Sequence, residues 1–589
     1  MFGFPNVSLS DVPAGDYSVQ AYLNRYETLT RSDGSTISVR FPCGDGALPV
    51  DGPGSLMTDL VNVTVAAGPQ TIKLTFNNVT AGEAFNGTEI GGCSQGNYED
   101  SELLKHIKIR SKVLSDFWDR DMYVGANVLL PQGYNASDKG KRYPVIYHQN
   151  HWDAGNGAYG YSTNEAFASA WDTGVIPGVN GTADRETPKL IIVQFRHETP
   201  YYDDSYAVNT ANIGPYGDAI NDELLPIIEG TFNTIPQPYA RIQDGGSTGG
   251  WESAANLIFR PDLFGACFSS YPDSLDFDRH QDIPLYTSQN AYTRPNGSKI
   301  VSIRENINGT LTDVTTVEQE NHWELTFGTN SRSNLQWDVW NAVFGAQGFN
   351  GYPLEPWDKV TGEIYPEAVE YWKPMDLARY ITTNWNTTRN LGEVLRRRIF
   401  IYVGTWDNYF LNEGVEEFQE RVSAIGGQDW ANVTILEGQP HGGVYQRRDI
   451  WDYLELVNSW VQDHAPDGET PLPESVTTPA TRGNKWEEVI AHGGHQAALA
   501  RQAPPVLTKK GRTAEATVGR WDPGVVLEAQ WVVDGKPNGK PCKVVQGSHA
   551  TYKVQSWSRP RSLQLSVTGR KRGYVDETRT SNSVSLRGN

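Results

Sequence analysis

Asp244-Gly245-Gly246-Ser247-Thr248-Gly249-Gly250-Trp251 is the stretch from which the rest of this 589-residue chain can be read. It contains Gly-x-Ser-x-Gly, the spacing of a sharp strand-to-helix turn that lifts a serine hydroxyl clear of the end of a sheet. Glycines flank the serine because the turn is strained and brings neighbouring backbones close together. Residues Trp251 to Leu263 read as the helix behind the turn, stopped by Pro261, and the apolar run Phe264-Gly265-Ala266-Cys267-Phe268 follows as a strand. With 58 glycines present, the pattern needs this context, and a second copy does occur at Gly92-Cys93-Ser94-Gln95-Gly96. That copy runs into Asn97-Tyr98-Glu99-Asp100 with no helix behind it, and reads as a loop.

A nucleophilic serine needs a base to take its proton and a carboxylate to hold that base in the right tautomer. In strand-alternating sheets of this kind the acid and then the histidine follow the serine in the chain, each at a strand end. Ile399-Phe400-Ile401-Tyr402-Val403-Gly404 reads as a buried strand with Thr405-Trp406-Asp407-Asn408 at its tip, so Asp407 is the candidate acid. The alternative for Asp407 is a cap on the helix starting near Leu411. Asp273 or Asp276 is the next candidate acid. Val433-Thr434-Ile435-Leu436-Glu437-Gly438 is a further strand, followed by Gln439-Pro440-His441-Gly442-Gly443 and an amphipathic helix with Ile450, Leu454, Val457 and Val461, which makes His441 the candidate base. Among the other ten histidines, His148, His151 and His197 lie at strand ends and could line a pocket. The oxyanion hole is expected from the backbone N–H of Thr248 and one from the loop after Tyr147, at Gln149 or Asn150.

Tyr143-Pro144-Val145-Ile146-Tyr147-His148, the serine turn with its helix through Pro261-Asp262-Leu263-Phe264-Gly265, and the Asp407…His441 order resemble the esterase-D-like branch of the α/β-hydrolases. That branch includes feruloyl and acetyl esterases, S-formylglutathione hydrolases and mycolyltransferases. The resemblance covers roughly residues 103–465 without an insertion at 279–398 that is rich in Trp, Tyr and Asn. It implies an α/β fold and a serine esterase or acyltransferase that needs no cofactor. Two features depart from the family pattern: His148-Gln149 stands where His-Gly is usual, and Ala240-Arg241-Ile242-Gln243-Asp244 is polar for a central strand.

The remainder of the chain divides by composition. Residues 1–102 alternate apolar and polar positions, as in Tyr17–Leu23, Ile37–Phe41 and Ile72–Phe76, and read as an N-terminal β-sandwich-like domain. Residues 103–465 are the α/β-hydrolase catalytic domain that the resemblance implies, and the Pro/Thr-rich stretch within 466–504 reads as a linker. Residues 505–589, with Leu527–Lys536 entering an Asp-Gly turn, resemble the bacterial immunoglobulin-like modules appended to secreted proteins.

Net charge is −20, but residues 505 onward hold 15 Lys/Arg against 6 Asp/Glu, leaving an acidic body and a basic tail. The acidic body disfavours nucleic acid as a partner. The basic tail would suit polysaccharide or cell-wall contact, and reads equally as a solvated surface. No run of 18 apolar residues is present, so no membrane span is expected. Ten Asn-x-Ser/Thr sequons, at Asn6, Asn62, Asn78, Asn86, Asn135, Asn180, Asn296, Asn308, Asn386 and Asn432, point to a secreted glycoprotein. Of four cysteines, Cys43 and Cys93 could form a disulfide or remain two thiols, and Cys267 reads as a buried small hydrophobe. None has metal-ligand spacing, Asp203-Asp204 reads as a solvated acidic loop, and no metal or cofactor is expected. The expected partner is an ester-bearing small molecule or carbohydrate. The competing readings are a serine peptidase or acyltransferase on the same fold, and a catalytically silent glycan-binding or adhesion scaffold.

Overall fold

Strands that alternate with helices pair in parallel, because each crossover returns the chain to the same end of the sheet. The computed structural model describes residues 12–39, 55–79, 98–150, 156–201, 204–348, 350–477, 484–486, 502–511, 513–522, 525–553, 561–570 and 576–586. At its centre is one eight-stranded mixed sheet. The strands are β1 (Leu104–Ser111), β2 (Met122–Leu129), β3 (Val145–Gln149), β4 (Ile191–Arg196), β5 (Arg241–Gly246), β6 (Ala266–Ser270), β7 (Ile399–Trp406) and β8 (Asn432–Pro440). They lie in the order β1-β2-β4-β3-β5-β6-β7-β8. β2 is antiparallel to both neighbours, and every pairing from β4 across to β8 is parallel.

A parallel sheet must be covered on both faces, which is why its strands are apolar at consecutive positions. Successive residues point to opposite faces. Val145, Ile191 and Cys267 accordingly join one core, while their neighbours Ile146, Ile192 and Phe268 join the other. The covering helices include α1 (Glu165–Thr173), α2 (Leu225–Thr231), α3 (Thr248–Phe259), α4 (Val317–Phe327), α5 (Gln336–Phe344), α6 (Leu411–Gly426) and α7 (Ile450–His464). α7 places Leu454, Val457 and Val461 in the core with Ile146 and Phe268, as its spacing predicts.

β5, the polar strand, is buried all the same, and each of its polar side chains has at least one partner, although Gln243 Nε2 has none among the described residues. Arg241 makes a two-pronged ion pair with Glu229, at 2.7 and 3.0 Å, and donates to the Leu263 carbonyl. Gln149 donates to Gln243 at 3.0 Å. Asp244 is bonded to His148 Nδ1 at 2.8 Å and accepts from the Tyr453 hydroxyl at 2.7 Å and from that of Tyr159. A buried polar group that keeps its partners escapes most of the desolvation cost. The departure seen in the sequence is thus a bonded network at the heart of the sheet.

The segment 279–398 supplies the antiparallel hairpin Val301–Ile307/Thr310–Thr316 and helices α4 and α5. Its Trp337, Trp340, Trp357 and Trp372 are buried in the main core. Under them lies Lys359, buried between Glu324 at 2.5 Å and Asp338. Most of the chain's tryptophans serve packing in this way; Trp323, on α4, is an exposed exception at 55%.

N-terminal to the central sheet, the described strands form small antiparallel sheets; of Ile72–Phe76, only Phe76 belongs to a strand, Phe76–Val79. The hairpin Glu27–Thr30/Thr36–Val39 buries Leu29, Ile37 and Val39 in the main core of the central sheet. Between its strands Arg31 donates to the Tyr201 hydroxyl and to the carbonyls of Asn212 and Gly351, at 2.8–3.0 Å. The C-terminal strands form a three-stranded and a five-stranded antiparallel sheet around Trp521, Leu563, Leu565 and Val567. Asp534-Gly535 makes the expected turn, both residues at positive φ. Cys267 is buried and Cys542 exposed. Cys43, Cys93 and the second Gly-x-Ser-x-Gly copy around Ser94 lie outside the described residues. Among the described residues, no helix is long and apolar enough to cross a membrane.

Candidate active site

Ser247 stands between the end of β5 and the start of α3, with φ 60° and ψ −123°. A non-glycine residue in this region costs about 1–3 kcal/mol and persists only where its surroundings hold it. Here Ser247 donates its N–H to Ser270 at 3.0 Å, while its carbonyl accepts from Trp251 and Asp273. The glycines follow from close approach: a Cβ on Gly249 would stand 2.3 Å from the Gln149 carbonyl oxygen, and one on Gly245 2.3 Å from that of Gly249. α3 begins at Thr248, so its free N–H groups and positive dipole end lie beside the serine.

Asp407 and His441 come together at the ends of β7 and β8. His441 Nδ1 is 2.7 Å from Asp407 Oδ2. The other carboxylate oxygen, Oδ1, accepts the N–H groups of Tyr409 at 3.0 Å and Leu411 at 3.2 Å, so Asp407 also caps α6. One oxygen thus faces His441 while the other caps α6. Asp407 is fully buried, whereas the His441 side chain is 16% exposed. With Nδ1–H donated to the carboxylate, Nε2 is the basic nitrogen.

The loop carrying His441 is held on several sides. His441 N–H donates to the Asn408 side chain at 3.1 Å, and the Gly442 carbonyl accepts from the Tyr402 hydroxyl and from Arg447 at 2.7 Å. The imidazole lies between two edge-on phenol rings, Tyr271 at 4.5 Å and Tyr409 at 4.9 Å. Burial pushes the Tyr271 phenol above its usual pKa, keeping it a neutral donor at physiological pH.

Arg304, from the insertion, was not legible as a site residue. It donates from Nε to the Asp407 carbonyl at 2.8 Å and from Nη2 to the Thr405 carbonyl and the Asn412 side chain. Its own backbone N–H reaches the Asn408 carbonyl, and the Asn408 amide returns a bond to the Arg304 carbonyl. The insertion therefore braces the acid loop. Its only local sign is a lone arginine in a strand about a hundred positions away.

The remaining candidates have other duties. Asp273 accepts from Tyr206 at 2.6 Å, Trp340 at 3.1 Å and the Thr248 hydroxyl at 3.3 Å, joining the residue after Ser247 to α5. Asp276 pairs with Arg421 at 2.5 Å. Gln149 is fully buried, its backbone packed on the serine turn. His148 is tied to Asp244, and His151 lies outside the described residues.

His197 is buried, 3.7 Å from Asp204 and 4.0 Å from Glu252. Asp203 lies outside the described residues, but Asp204 is buried and accepts the Tyr206 N–H at 2.5 Å, which corrects the expectation of a solvated acidic loop. One ligand atom from each of His197, Asp204 and Glu252 lies within 4.8 Å of the others, the one such grouping among the described residues. The Ser205 N–H and hydroxyl approach His197 Nδ1 at 3.3 and 3.0 Å.

Fold and geometry together give an α/β domain built on a central mixed sheet, with an Asp–His pair beyond the same sheet end as a strained serine turn. Residues 119–344 match the family model described as "Putative esterase". That match contains Ser247 and ends before Asp407 and His441. An endo-1,4-beta-xylanase/feruloyl esterase of Xylanibacter ruminicola is 29% identical over 188 residues, covering 31% of this chain and 24% of that protein. The chain thus spans about a quarter of the length of the curated relative it matches. Similar solved structures include a ferulic acid esterase (14% identity, 61% of this chain and 99% of that one, TM-score 0.34). Others are an S-formylglutathione hydrolase of Staphylococcus aureus (11%, 61% and 98%, TM-score 0.33) and a ferulic acid esterase of Anaeromyces mucronatus (14%, 61% and 92%, TM-score 0.27). At these TM-scores the likenesses carry no functional inference.

Proposed function

We propose that the protein is a secreted serine esterase that cleaves carboxylic esters through an acyl-enzyme, with Ser247 as nucleophile, His441 as base and Asp407 as its orienting acid. The observation that carries this reading is the 2.7 Å His441–Asp407 bond at the ends of β7 and β8, beyond the same end of the parallel sheet as the Ser247 turn. His441 Nε2 takes the Ser247 proton as Oγ attacks the ester carbonyl. The tetrahedral oxyanion is stabilised by N–H groups of Thr248 and Gln149. His441 then protonates the departing alcohol, and water repeats the sequence on the acyl-enzyme. No step calls for a metal or an organic cofactor.

For substrate, we propose acyl groups esterified to carbohydrate, feruloyl or acetyl among them. The support is the relative named endo-1,4-beta-xylanase/feruloyl esterase. Tryptophan richness gives no support, since most of those side chains are in the core. Secretion is supported by the exposure of all eight sequon asparagines among the described residues, from Asn62 to Asn432. The terminal β regions are proposed as accessory domains, the C-terminal one immunoglobulin-like.

The test is turnover of p-nitrophenyl acetate and butyrate, then of feruloylated and acetylated oligosaccharides, beside Ser247→Ala. Activity confined to the unmodified protein supports the reading. Turnover that survives in the variant would sink the Ser247 assignment, and none in either would favour a silent binding scaffold.

A further inference from the structure

Tyr271 is the residue immediately after β6, and it is held at φ 34°. A bulky side chain in the left-handed region is an outlier that only a fixed environment maintains. The fixing contacts are identifiable. Its N–H donates to the Tyr402 carbonyl at 2.5 Å, and its ring packs edge-on against Tyr402 and against His441. The ring thereby spans the distance from the histidine to the serine turn: a Cβ on Gly246 would stand 2.3 Å from the Tyr271 hydroxyl oxygen. Among the described residues no hydrogen bond engages that hydroxyl. A polar atom has been brought to the residue before Ser247, beside the imidazole, and left open.

Strand order says which side of the serine it occupies. The expected oxyanion donors come from α3 and the end of β3, and β3 borders β5 on one side. β6 borders β5 on the other, and β7 and β8, which carry Asp407 and His441, continue outward from β6. Tyr271 therefore stands on the histidine side, where the alcohol departs, and opposite the oxyanion.

Resting on the esterase reading above, we propose that Tyr271 is a catalytic residue whose hydroxyl donates a hydrogen bond to the alcohol oxygen of the substrate as that oxygen leaves. In this step the Ser247 Oγ–carbonyl carbon bond forms and the carbonyl carbon–alkoxy bond breaks. The proton that His441 took from Ser247 passes to the leaving oxygen, while Tyr271 keeps its own. Its help matters most when the leaving alcohol is a poor one, such as an alkyl or sugar hydroxyl. It matters least for p-nitrophenolate, which leaves without assistance.

The decisive variant is Tyr271→Phe, which keeps the ring on His441 and removes only the hydroxyl. The expected result is a loss of about tenfold in kcat/KM on ethyl butyrate and of less than about twofold on p-nitrophenyl butyrate, the yield of one lost hydrogen bond. A fluorophosphonate, whose leaving group is fluoride, reads the Ser247–His441 arrangement separately. Its rate of labelling should stay within about twofold of the unmodified protein. Equal losses on both esters, or no loss on either, would overturn the proposal. So would labelling that slows as much as ethyl butyrate turnover, because Tyr271 would then only position His441. If the unmodified protein neither labels nor turns over any ester, the serine-esterase reading fails, and this proposal with it. If it is active and Ser247→Ala is not, only the Tyr271 assignment is at stake.

Discussion

Arg304 holds the backbone of Asp407: its Nε donates to the Asp407 carbonyl at 2.8 Å, from an insertion strand that otherwise lies outside the hydrolase sheet. Through this bond an accessory segment sets the position of the residue that orients His441. Arg304→Ala should lower kcat by about 10–100-fold with a small change in KM, because sub-ångström displacement of an orienting group is felt in the transition state more than in binding. Arg304→Lys should recover little, since a single ammonium cannot reproduce three bonds from a planar fork. Steady-state kinetics on both variants checks this.

Asp407→Asn should lower kcat by about 10³–10⁴-fold, the loss expected when a triad carboxylate becomes an amide and the histidine takes the wrong tautomer. Folding should survive, because the amide oxygen of asparagine can still accept the Tyr409 and Leu411 N–H groups. Kinetics and a thermal melt of the same preparation separate the two effects. The same substitution at Asp273 should act instead on stability, through Tyr206, Trp340 and Thr248.

His280 is buried against Trp340, Trp372 and Phe277, and neither ring nitrogen has a hydrogen-bond partner among the described residues. Burial alone depresses its pKa from 6.5 to about 3. The folded protein thus binds this proton more weakly than the unfolded chain does. The associated stability is present above pH 6.5 and is lost as pH falls toward 3, at about 1.4 kcal/mol per pH unit. His280→Phe should remove this dependence. The difference in unfolding free energy between the two proteins, measured from pH 7 to pH 4.5, should shift by about 2–3 kcal/mol in favour of the variant.

Lys359→Met should destabilise the fold by about 3–5 kcal/mol, because it leaves the Glu324 and Asp338 carboxylates buried without their cation. Glu324 also accepts the Trp337 N–H at 2.9 Å, so tryptophan emission should shift to the red as that contact loosens. Replacing Glu324 by Gln in the same protein should restore part of the loss. Denaturant titration followed by fluorescence checks both.

Much of the candidate site's architecture was legible because its signals are local. A strained turn needs glycines at adjacent positions, a buried strand needs a continuous apolar run, and chain order sets which loops carry the acid and the base. Those rules locate Ser247, Asp407 and His441 at loops beyond one end of the sheet. They also misjudged what a single residue would meet: Asp204, read as solvated, is buried. Burial depends on what packs from elsewhere, and composition does not carry that information.

The sequence by itself determined the alternation of strands and helices, the serine turn, and the order of the residues around it. Only the tertiary structure decided that the polar residues of β5 find partners in β3, α2 and α7, that Arg304 grips the Asp407 loop, and that Tyr271 bridges His441 to Gly246. The first group arises from interactions between near neighbours, whose geometry is written into spacing. The second joins residues tens to hundreds of positions apart, where pairing is selected by sheet order and by the cost of leaving buried polar groups unpaired.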